Sequence, residues 1–372
     1  MASILSLSGI GVLFAQVDSE ENDYLLRGRF HEGRRLFERE TFGGNGRTCE
    51  TCHSAATGTV SPEDARRRFA YDKRDPLFSH DGSDDGFGHG VTRILRDATI
   101  LVTIALPFNV SLADDPAARS VTLRRGIPTT LNTPALDTVL MVDGREPDLE
   151  TQARNAIRNH AQINFVSNAE LERIAAFERT AEFFSSRKLR RFARGGPAPE
   201  LPEGRTESEI RGRRFFVDGF SADDRKLGIC AVCHSGPMLN QTNRFAPPPL
   251  TAGLRFQTVL VSELNAAENP VREFIFQNPD GTKTSIKSPD PGRALISGES
   301  QNTRFDNMNA FKIPSLWGVR DTAPYFHDNS AKTLEDVALH YAKFFTIVTA
   351  PNPLVLSEED QKDIVAYLKL LN

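Results

Sequence analysis

The apolar positions of the chain recur mostly at helical spacing, and the exceptions are confined to short stretches. Near the C-terminus, residues 364–371 carry apolar side chains at helical spacing behind the polar start Ser-Glu-Glu-Asp at 357–360, which predicts a capped amphipathic helix. The continuous apolar run 100–108 favours a strand, and an Asp-Gly pair inside 273–287 predicts a hairpin. The pattern therefore predicts a mainly α fold with a few short strands and hairpin insertions.

A repeated order of elements divides the chain into two halves. A Gly-Arg-Arg segment lies in a predicted helix at 33–35 and again at 212–214, and each helix leads through a polar or glycine-rich loop to a cysteine motif. Residues 195–204 form a Pro/Gly-rich linker between the halves. Because 372 residues suffice for two hydrophobic cores, we expect an N-terminal domain over 22–195 and a C-terminal domain over 205–372.

The composition is that of a globular protein, with 39% hydrophobic residues and a formal net charge of −4. The net acidity and the lack of a basic run argue against nucleic acid as a partner. Residues 1–16 contain an apolar stretch that resembles the hydrophobic part of a secretory signal, although no Lys or Arg precedes Arg27. Since a membrane span needs about 20 apolar residues, we expect export and no membrane span.

All four cysteines fall in two C-x-x-C-H motifs, Cys49-Glu50-Thr51-Cys52-His53 and Cys230-Ala231-Val232-Cys233-His234. This motif is the attachment signature of c-type haem. Two thiols three positions apart can add to the two vinyl groups of one porphyrin, and the adjoining histidine can then bind the iron. The sequence therefore predicts two covalently attached haem c groups, with His53 and His234 as iron ligands.

Two other uses of paired cysteines fit less well. The C-x-x-C knuckles of a zinc ribbon lie roughly 15–20 residues apart, whereas almost half of the chain separates Cys52 from Cys230. Thioredoxin-like motifs would require βαβ context and give no reason for a histidine after both motifs. Because haem c is attached outside the bacterial cytoplasm, the motifs also favour a periplasmic location.

Further segments resemble the signature of the bacterial dihaem cytochrome c peroxidase and MauG superfamily. They occur in the family's order in both halves, at 128–132, at 143–145 with Leu149 and Gln152, and at 290–293, 311–316 and 322–328. The resemblance implies two cytochrome c-like haem domains that face each other. In that arrangement, one haem handles the oxidant and the other stores or relays electrons.

The resemblance places the sixth ligand of the second haem at Tyr341, where other peroxidases of the family carry a methionine. A phenolate or imidazole ligand stabilises ferric and higher oxidation states better than a thioether does. His340 is the competing ligand, Met308 is a third choice, and a packed helix residue is the other interpretation of Tyr341. We expect His327 to lie near a haem edge or on the path between the domains, not at the iron.

The family's distal glutamate, which shuttles a proton during O–O cleavage, corresponds here to Gln162. An amide can orient a bound oxygen species, but it cannot act as an acid or base near neutral pH. His160 is therefore the second candidate catalytic residue, although a residue two positions away on a helix points roughly the opposite way.

Other family positions also differ in this chain. Thr322 and Pro324 match two calcium positions, but the third carries another residue, so calcium is doubtful. The lone tryptophan, Trp317, lies away from the family's position between the haems, so either it substitutes from the other side or the coupling is weaker. The residues at the pocket proline, the inter-haem tryptophan and the calcium asparagine are, respectively, Ala156, Val142 and Gly126.

The stretch between His53 and Pro128 is longer than the peroxidases need, and it contains two more histidines. In peroxidases of the family, a histidine in a comparable glycine-rich loop caps the first haem at rest. His89 is the better match for this cap and His80 is the alternative. The other interpretation is a flexible surface loop with solvated histidines.

The predicted function is a dihaem c-type oxidoreductase that activates H2O2 or O2 at the N-terminal haem, while the C-terminal haem relays or stores oxidising equivalents. An unknown reducing substrate or redox protein partner supplies the electrons. One alternative is a dihaem electron-transfer cytochrome without substrate chemistry. Another is cleavage of an apolar alkene by O2, as in the distantly similar dihaem rubber oxygenases. For that reaction Phe165, Phe183 and Phe184 are candidate pocket walls, although core packing is the commoner role of phenylalanine.

Overall fold

The computed structural model describes residues 28, 30–265 and 269–372, so the signal-like segment 1–16 lies outside the described residues. The fold is dominated by helices. In chain order they are α1 over 30–38, α2 Pro62–Tyr71, α3 Thr92–Asp97, α4 Thr133–Leu136, α5 Leu149–His160, α6 Asn168–Glu178, α7 Arg187–Phe192, α8 Glu207–Arg213, α9 Val261–Leu264, α10 Ala294–Ser297, α11 Leu334–Val348 and α12 Glu358–Leu368. No helix within the described residues has the length and apolar character that crossing a membrane requires.

Short strands complete the fold. They are β1 Thr99–Ala105, β2 Val110–Leu112, β3 Ser120–Gly126, β4 Phe256–Gln257, β5 Arg272–Gln277, β6 Lys283–Ser288 and β7 Phe311–Lys312. β1 pairs with β3, β4 pairs with β7, and β2, β5 and β6 form a three-stranded sheet, with every pairing antiparallel. The predicted strand at 100–108 and the predicted hairpin at 273–287 are thus confirmed as β1 and as β5 with β6.

Local sequence explains where the longer helices start. In α12, the side chain of Ser357 accepts from the main-chain N–H of Asp360, and the Asp360 carboxylate accepts in return from the main-chain N–H of Ser357. The same reciprocal capping box begins α2, α6, α8 and α11. Each box satisfies main-chain N–H groups that the first helical turn leaves without partners. The predicted C-terminal helix is therefore confirmed, with its cap.

The two repeated glycines occupy equivalent positions in space. A Cβ built on Gly33 of α1 would lie 2.2 Å from the carbonyl oxygen of Arg173 on α6, and one built on Gly212 of α8 would lie 2.0 Å from that of Asp363 on α12. Four residues further on, the rings of Phe37 and Phe177 pair at 5.6 Å, and those of Phe216 and Tyr367 pair at 5.3 Å. The sequence repeat therefore corresponds to a structural repeat, because the same helix crossing occurs in both halves of the chain.

The buried side chains form separate clusters. One lies among α1, α5 and α6, and another among α8, α11 and α12. A third, β-rich cluster combines first-half residues such as Ile100 with Phe274 and Phe276 of β5. The strands thus connect the two halves of the chain that the linker separates in sequence. The domain boundaries at 22–195 and 205–372 stay a prediction.

Candidate active site

The two cysteine motifs adopt the same local structure. In the first, Thr48 caps the short helical turn Cys49–Thr51, and the main-chain N–H of His53 donates to the carbonyl of Cys49 at 2.9 Å. In the second, the N–H of His234 donates to the carbonyl of Cys230 at the same distance. All four cysteines lie within the described residues and are free thiols. Each motif therefore presents two thiols and a histidine from a single turn.

The two motif histidines also share their hydrogen bonds. Nδ1 of His53 donates to the carbonyl of Gly58 at 2.8 Å, and Nδ1 of His234 donates to that of Leu239 at 2.9 Å. A carbonyl only accepts, so the proton sits on Nδ1 and Nε2 keeps its lone pair. Burial lowers the pKa of both rings. The carbonyl groups that accept from them raise the pKa in part, and for His234 these include the carbonyl of Pro314. Neutral rings with a free Nε2 fit iron ligands.

A large cavity opens beside the first motif. Its empty volume is about 1310 Å³, including the mouth, and Cys49, Cys52 and His53 form part of its lining. Another part of the lining comes from α5, which contributes the small side chain of Ala156. The cavity and the motif beside it fit a haem group.

Cationic side chains form part of the lining of this cavity. Arg125, Arg145 and Lys312 all line it. Arg125 is only 1% exposed, and its guanidinium binds Asp290 at 2.8 and 2.9 Å and Asp143 at 2.5 Å. A buried charge needs such partners. Arg125 thereby ties together the Asp-Gly-Arg and Asp-Pro-Gly-Arg motifs from the two halves of the chain.

Sequence reasoning missed Arg125. The available signal was indirect, because two motifs with aspartates that become buried require a cation between them.

The two predicted catalytic residues lie in different surroundings. His160, at the end of α5, lines the cavity, and its Nδ1 is 2.5 Å from Oδ2 of Asp81. Among the described residues, Gln162 is not part of the cavity lining. It is exposed, has a left-handed backbone with φ of 63°, and its Nε2 donates to Nδ1 of His80 at 3.1 Å.

Asp81 is a further residue that sequence reasoning did not single out. It is 4% exposed, and besides His160 it binds the guanidinium of Arg47. Burial raises the pKa of its carboxyl group, but the hydrogen bond and charge of His160 and Arg47 outweigh burial and lower the pKa overall. A buried carboxylate that stays ionised therefore lies against the ring of His160.

The candidate caps of the first haem are also separate from the cavity. His89 is mostly exposed, and its Nδ1 bonds Asp85 at 2.7 Å. Neither His80 nor His89 contributes to the cavity lining within the described residues. Phe165 is exposed, Phe183 packs against Phe37 of the lining, and Phe184 packs against the cluster of α8, α11 and α12. Within the described residues, none of the three belongs to the cavity lining.

At the second motif, the structure brings Tyr341 close to the thiols. Burial and then the nearby Cys233 and Cys230 raise the pKa of the Tyr341 hydroxyl. The ring of the neighbouring His340 is bound to another group, because its Nε2 donates to the carbonyl of Val259 at 2.8 Å. Met308 lies in the β-rich cluster with first-half residues. Of the three predicted ligands, Tyr341 is thus the one placed beside the cysteines.

His327 lies in the network between the halves. Its ring stacks on Phe311 with centroids 3.5 Å apart and an interplanar angle of 9°, and its Nε2 is 3.8 Å from Asp290. Nδ1 has no hydrogen-bond partner among the described residues. The expected position of His327 near a haem edge or on the path between the domains stays a prediction.

A short segment connects the two sites. The main-chain N–H of Lys312 donates to the carbonyl of Val142 at 2.7 Å, and both residues line the cavity. Two positions later, the carbonyl of Pro314 acts on the ring of His234. Nε1 of Trp317 donates to the carbonyl of Pro237, close to the second motif. Val142, which the resemblance places at the family's inter-haem position, is therefore hydrogen-bonded to a segment that continues to the second site.

Glu178 is another residue of the cavity that sequence reasoning missed. It is 4% exposed, lines the cavity, and its Oε2 has no hydrogen-bond partner within the described part of the chain. Burial raises the pKa of its carboxyl group to about 8. Nothing in the local sequence distinguishes this glutamate from those on the surface of α6.

The region of the expected calcium position is occupied by protein groups. A Cβ on Gly126 would lie 2.1 Å from Oδ1 of Asn329, whose Nδ2 donates to the carbonyls of Asp97 and Ala98. The ammonium of Lys332 binds the Asp97 carboxylate at 3.1 Å. Since these oxygens already accept from an amide and an ammonium, the residues present do not fit a calcium ion.

The helix-dominated fold carries two C-x-x-C-H motifs of matching local structure, as expected for a dihaem protein. The family model for di-haem cytochrome c peroxidase matches residues 29–188. The chain is also similar to the methylamine utilization protein MauG of Methylorubrum extorquens, with 28% identity over 277 residues that cover 68% of this chain and 65% of MauG. The alignment thus spans slightly less than two thirds of that relative.

Solved structures share the fold. A MauG-like protein associated with microbial copper homeostasis has a TM-score of 0.50 and 20% identity over 92% of this chain and 88% of its own. The diheme peroxidase BthA from Burkholderia thailandensis has a TM-score of 0.52 and 15% identity over 92% of this chain and 86% of its own. The family model covers less than half of the chain, and the solved structures share its fold, so the chain is similar to dihaem cytochrome c peroxidases and MauG proteins.

Proposed function

We propose that the protein is a dihaem c-type oxidoreductase that activates H2O2 or O2 at the site beside His53. The observation that carries this proposal is the cavity, because it joins the first cysteine motif to an open space lined by α5. A haem bound there supplies a redox-active iron with a coordination position for the oxidant. The haem itself takes up much of that space, and the polar His160 of the lining, held by the buried Asp81, is the feature that a protein which only transfers electrons does not need.

The chain's own residues would hold the first haem in a defined way. Cys49 and Cys52 are the attachment points and His53 is the iron ligand, oriented by its bond to Gly58. Arg145 and Lys312 bring positive charge to the lining, which suits the carboxylates of a porphyrin. The apolar remainder of the lining excludes water from the bound group.

For the second site we propose attachment at Cys230 and Cys233, with His234 and Tyr341 as the iron ligands. The position of Tyr341 near both thiols supports this assignment over His340, whose Nε2 is engaged with Val259. An oxygen-donor ligand favours higher oxidation states, which suits a site that stores oxidising equivalents. His327 and Phe311 then lie in the buried network between the two sites.

We also propose that the domains at 22–195 and 205–372 are each cytochrome c-like. The repeated helix crossing at Gly33 and Gly212 supports this division, and the shared β-rich cluster would fix the two domains against each other. Attachment of haem c outside the bacterial cytoplasm supports a periplasmic location.

The reaction consumes electrons and protons in fixed numbers. Each H2O2 takes up two electrons and two protons and gives two water molecules. The electrons come from a one-electron donor, which we propose to be a small redox protein or an oxidisable substrate.

The test is a turnover assay on haem-loaded protein with H2O2 or O2 and a reduced one-electron donor. We expect oxidant-dependent donor oxidation that is lost in a Cys49→Ser/Cys52→Ser variant. Failure to consume either oxidant, with both haems present, would leave the electron-transfer cytochrome as the function.

A further inference from the structure

His160, Asp81 and Arg47 form a hydrogen-bonded chain that starts next to the first cysteine motif. Arg47 stands two positions before Cys49, and its Nη1 binds Oδ1 of Asp81. The other carboxylate oxygen, Oδ2, is 2.5 Å from Nδ1 of His160. Arg47 and Asp81 are 2% and 4% exposed, and His160 lies in the cavity lining. The hydrogen-bonded chain thus joins two residues of the cavity lining, Arg47 and His160, through the buried Asp81.

The loop that carries Asp81 is held tightly in place. Besides Asp81, the Arg47 guanidinium donates to the carbonyls of Pro76, Leu77 and Ser79 at 2.6–3.1 Å. A Cβ on Gly82 would lie 1.8 Å from the carbonyl oxygen of Leu77, so only glycine allows the loop to approach this closely. The segment between His53 and Pro128 therefore delivers a carboxylate to a fixed point.

This arrangement determines which nitrogen of His160 can accept a proton. An ionised carboxylate only accepts, so Nδ1 carries the ring proton and Nε2 keeps its lone pair. Nε2 of His160 has no hydrogen-bond partner within the described residues. We propose that Asp81, anchored by Arg47, orients His160 as the proton-transfer group of the first site, so that its Nε2 serves a peroxide bound in the cavity.

The proposal rests on the proposed function and deepens it. Nε2 takes the proton from one oxygen of H2O2 and returns it to the other oxygen, which leaves as water when the O–O bond breaks. His160 ends the step unchanged. The remaining oxygen atom takes up two protons from solvent and two electrons, one from each of two molecules of the one-electron donor, and leaves as the second water molecule. Asp81 and Arg47 are positioning residues, because they act through His160.

An Asp81→Asn substitution tests the orientation specifically. Arg47 can only donate, so it selects the amide oxygen of the new side chain and leaves the NH2 group facing Nδ1 of His160. The ring must then carry its proton on Nε2, where it can no longer accept one. We expect the rate constant for reaction with H2O2 to fall about 100-fold, within the range typical of general acid–base catalysis.

Cyanide provides a readout that does not depend on turnover. HCN must lose its proton to bind ferric iron as cyanide, so its association rate in the haem-loaded protein also reports on the base. Asp81→Asn and His160→Ala should slow cyanide binding by similar factors, and the double variant should be no slower than either, because the two residues act as one unit.

Asp75→Asn is the matched control. Asp75 lies in the same loop and pairs with Arg68 at 2.6 Å, but it does not contact His160. Wild-type rates in Asp81→Asn for both H2O2 and cyanide, or a loss equal to that of Asp75→Asn, would overturn the proposal. The proposal would also be overturned if the first haem were low-spin in the wild type and high-spin in His160→Ala, because His160 would then be an iron ligand. Base-dependent cyanide binding without any reaction with H2O2 or O2 would support the orientation and reject the proposed function instead.

Discussion

Gly33 and Arg173 are in closer contact than any residue with a side chain would allow, since a Cβ on Gly33 would lie 2.2 Å from the Arg173 carbonyl oxygen. The same relationship joins Gly212 to Asp363 in the second half, at 2.0 Å. Each contact sets α1 against α6 or α8 against α12, and each crossing lies beside the aromatic pair that follows it. The helix crossings that frame the two haem motifs therefore depend on two glycines.

Gly33→Ala and Gly212→Ala should each destabilise the protein. Neither added methyl group has room, because the neighbouring atoms belong to helix backbone, and overpacking of this kind costs about 1–3 kcal/mol. The measurement is the free energy of unfolding in urea. Gly28→Ala serves as the control, because nothing lies within 4 Å of a Cβ at that position. Wild-type stability in both variants would show that the crossings are looser than described.

Glu178→Gln should remove a pH dependence of stability. The carboxyl pKa is raised by burial from 4.5 to about 8 in the folded protein. The folded state therefore binds a proton that the unfolded chain releases above its ordinary pKa, so stability falls as the pH rises from about 4.5 to about 8. At about 1.4 kcal/mol per pKa unit, the full loss is about 5 kcal/mol.

The measurement is urea unfolding of the haem-loaded protein at pH 5 and pH 8. Glu178→Gln should be near wild type at pH 5 and more stable by several kcal/mol at pH 8. Glu182→Gln, at an exposed position four residues on, should follow the wild type at both values. Parallel curves for wild type and Glu178→Gln would contradict a buried neutral carboxyl at this position.

Tyr341→Phe should change the spectrum of the second haem. Loss of the phenolic oxygen removes the proposed sixth ligand, so the ferric iron should become high-spin and its reduction potential should rise. Visible absorption and a redox titration measure the two effects. Tyr325→Phe is the control, because its hydroxyl donates to the carbonyl of Val319 instead. An unaltered spectrum in Tyr341→Phe would reject it as a ligand and return attention to His340.

Calcium removal should leave the protein unchanged. The amide of Asn329 and the ammonium of Lys332 already bind the oxygens around Asp97, so a chelator has no ion to withdraw there. The melting temperature and the visible spectrum should be the same before and after dialysis against EGTA. A loss of stability that added Ca²⁺ restores would show that a calcium site exists elsewhere in the chain.

Local features could be predicted from the sequence because neighbouring residues determine them. The capping box at Ser357, the strand of β1 and the β5–β6 hairpin each follow from a few adjacent side chains. The cysteine motifs are of the same kind, since one helical turn positions two thiols and a histidine. The resemblance to the family added the remote motifs, and the comparisons support that family.

The residues around the cavity depend on contacts between distant segments, and sequence reasoning did not find them. The role of Arg125 depends on its contacts with Asp143 and Asp290, which are distant in sequence and meet it only in the folded protein. Asp81 lies in a stretch whose sequence is typical of a surface loop, yet its side chain is buried against His160. Spacing on a helix predicted where His160 points relative to Gln162, but α5 ends at His160 and the backbone turns left-handed at Gln162.

The most direct test of the central claim is electron paramagnetic resonance of the resting ferric protein with both haems attached, before and after H2O2 is added. We expect one high-spin signal, from the iron beside His53, which disappears on addition of the oxidant, together with one low-spin signal from the second haem. Two low-spin signals that do not respond to H2O2 or to O2 after reduction would contradict oxidant activation at the first site.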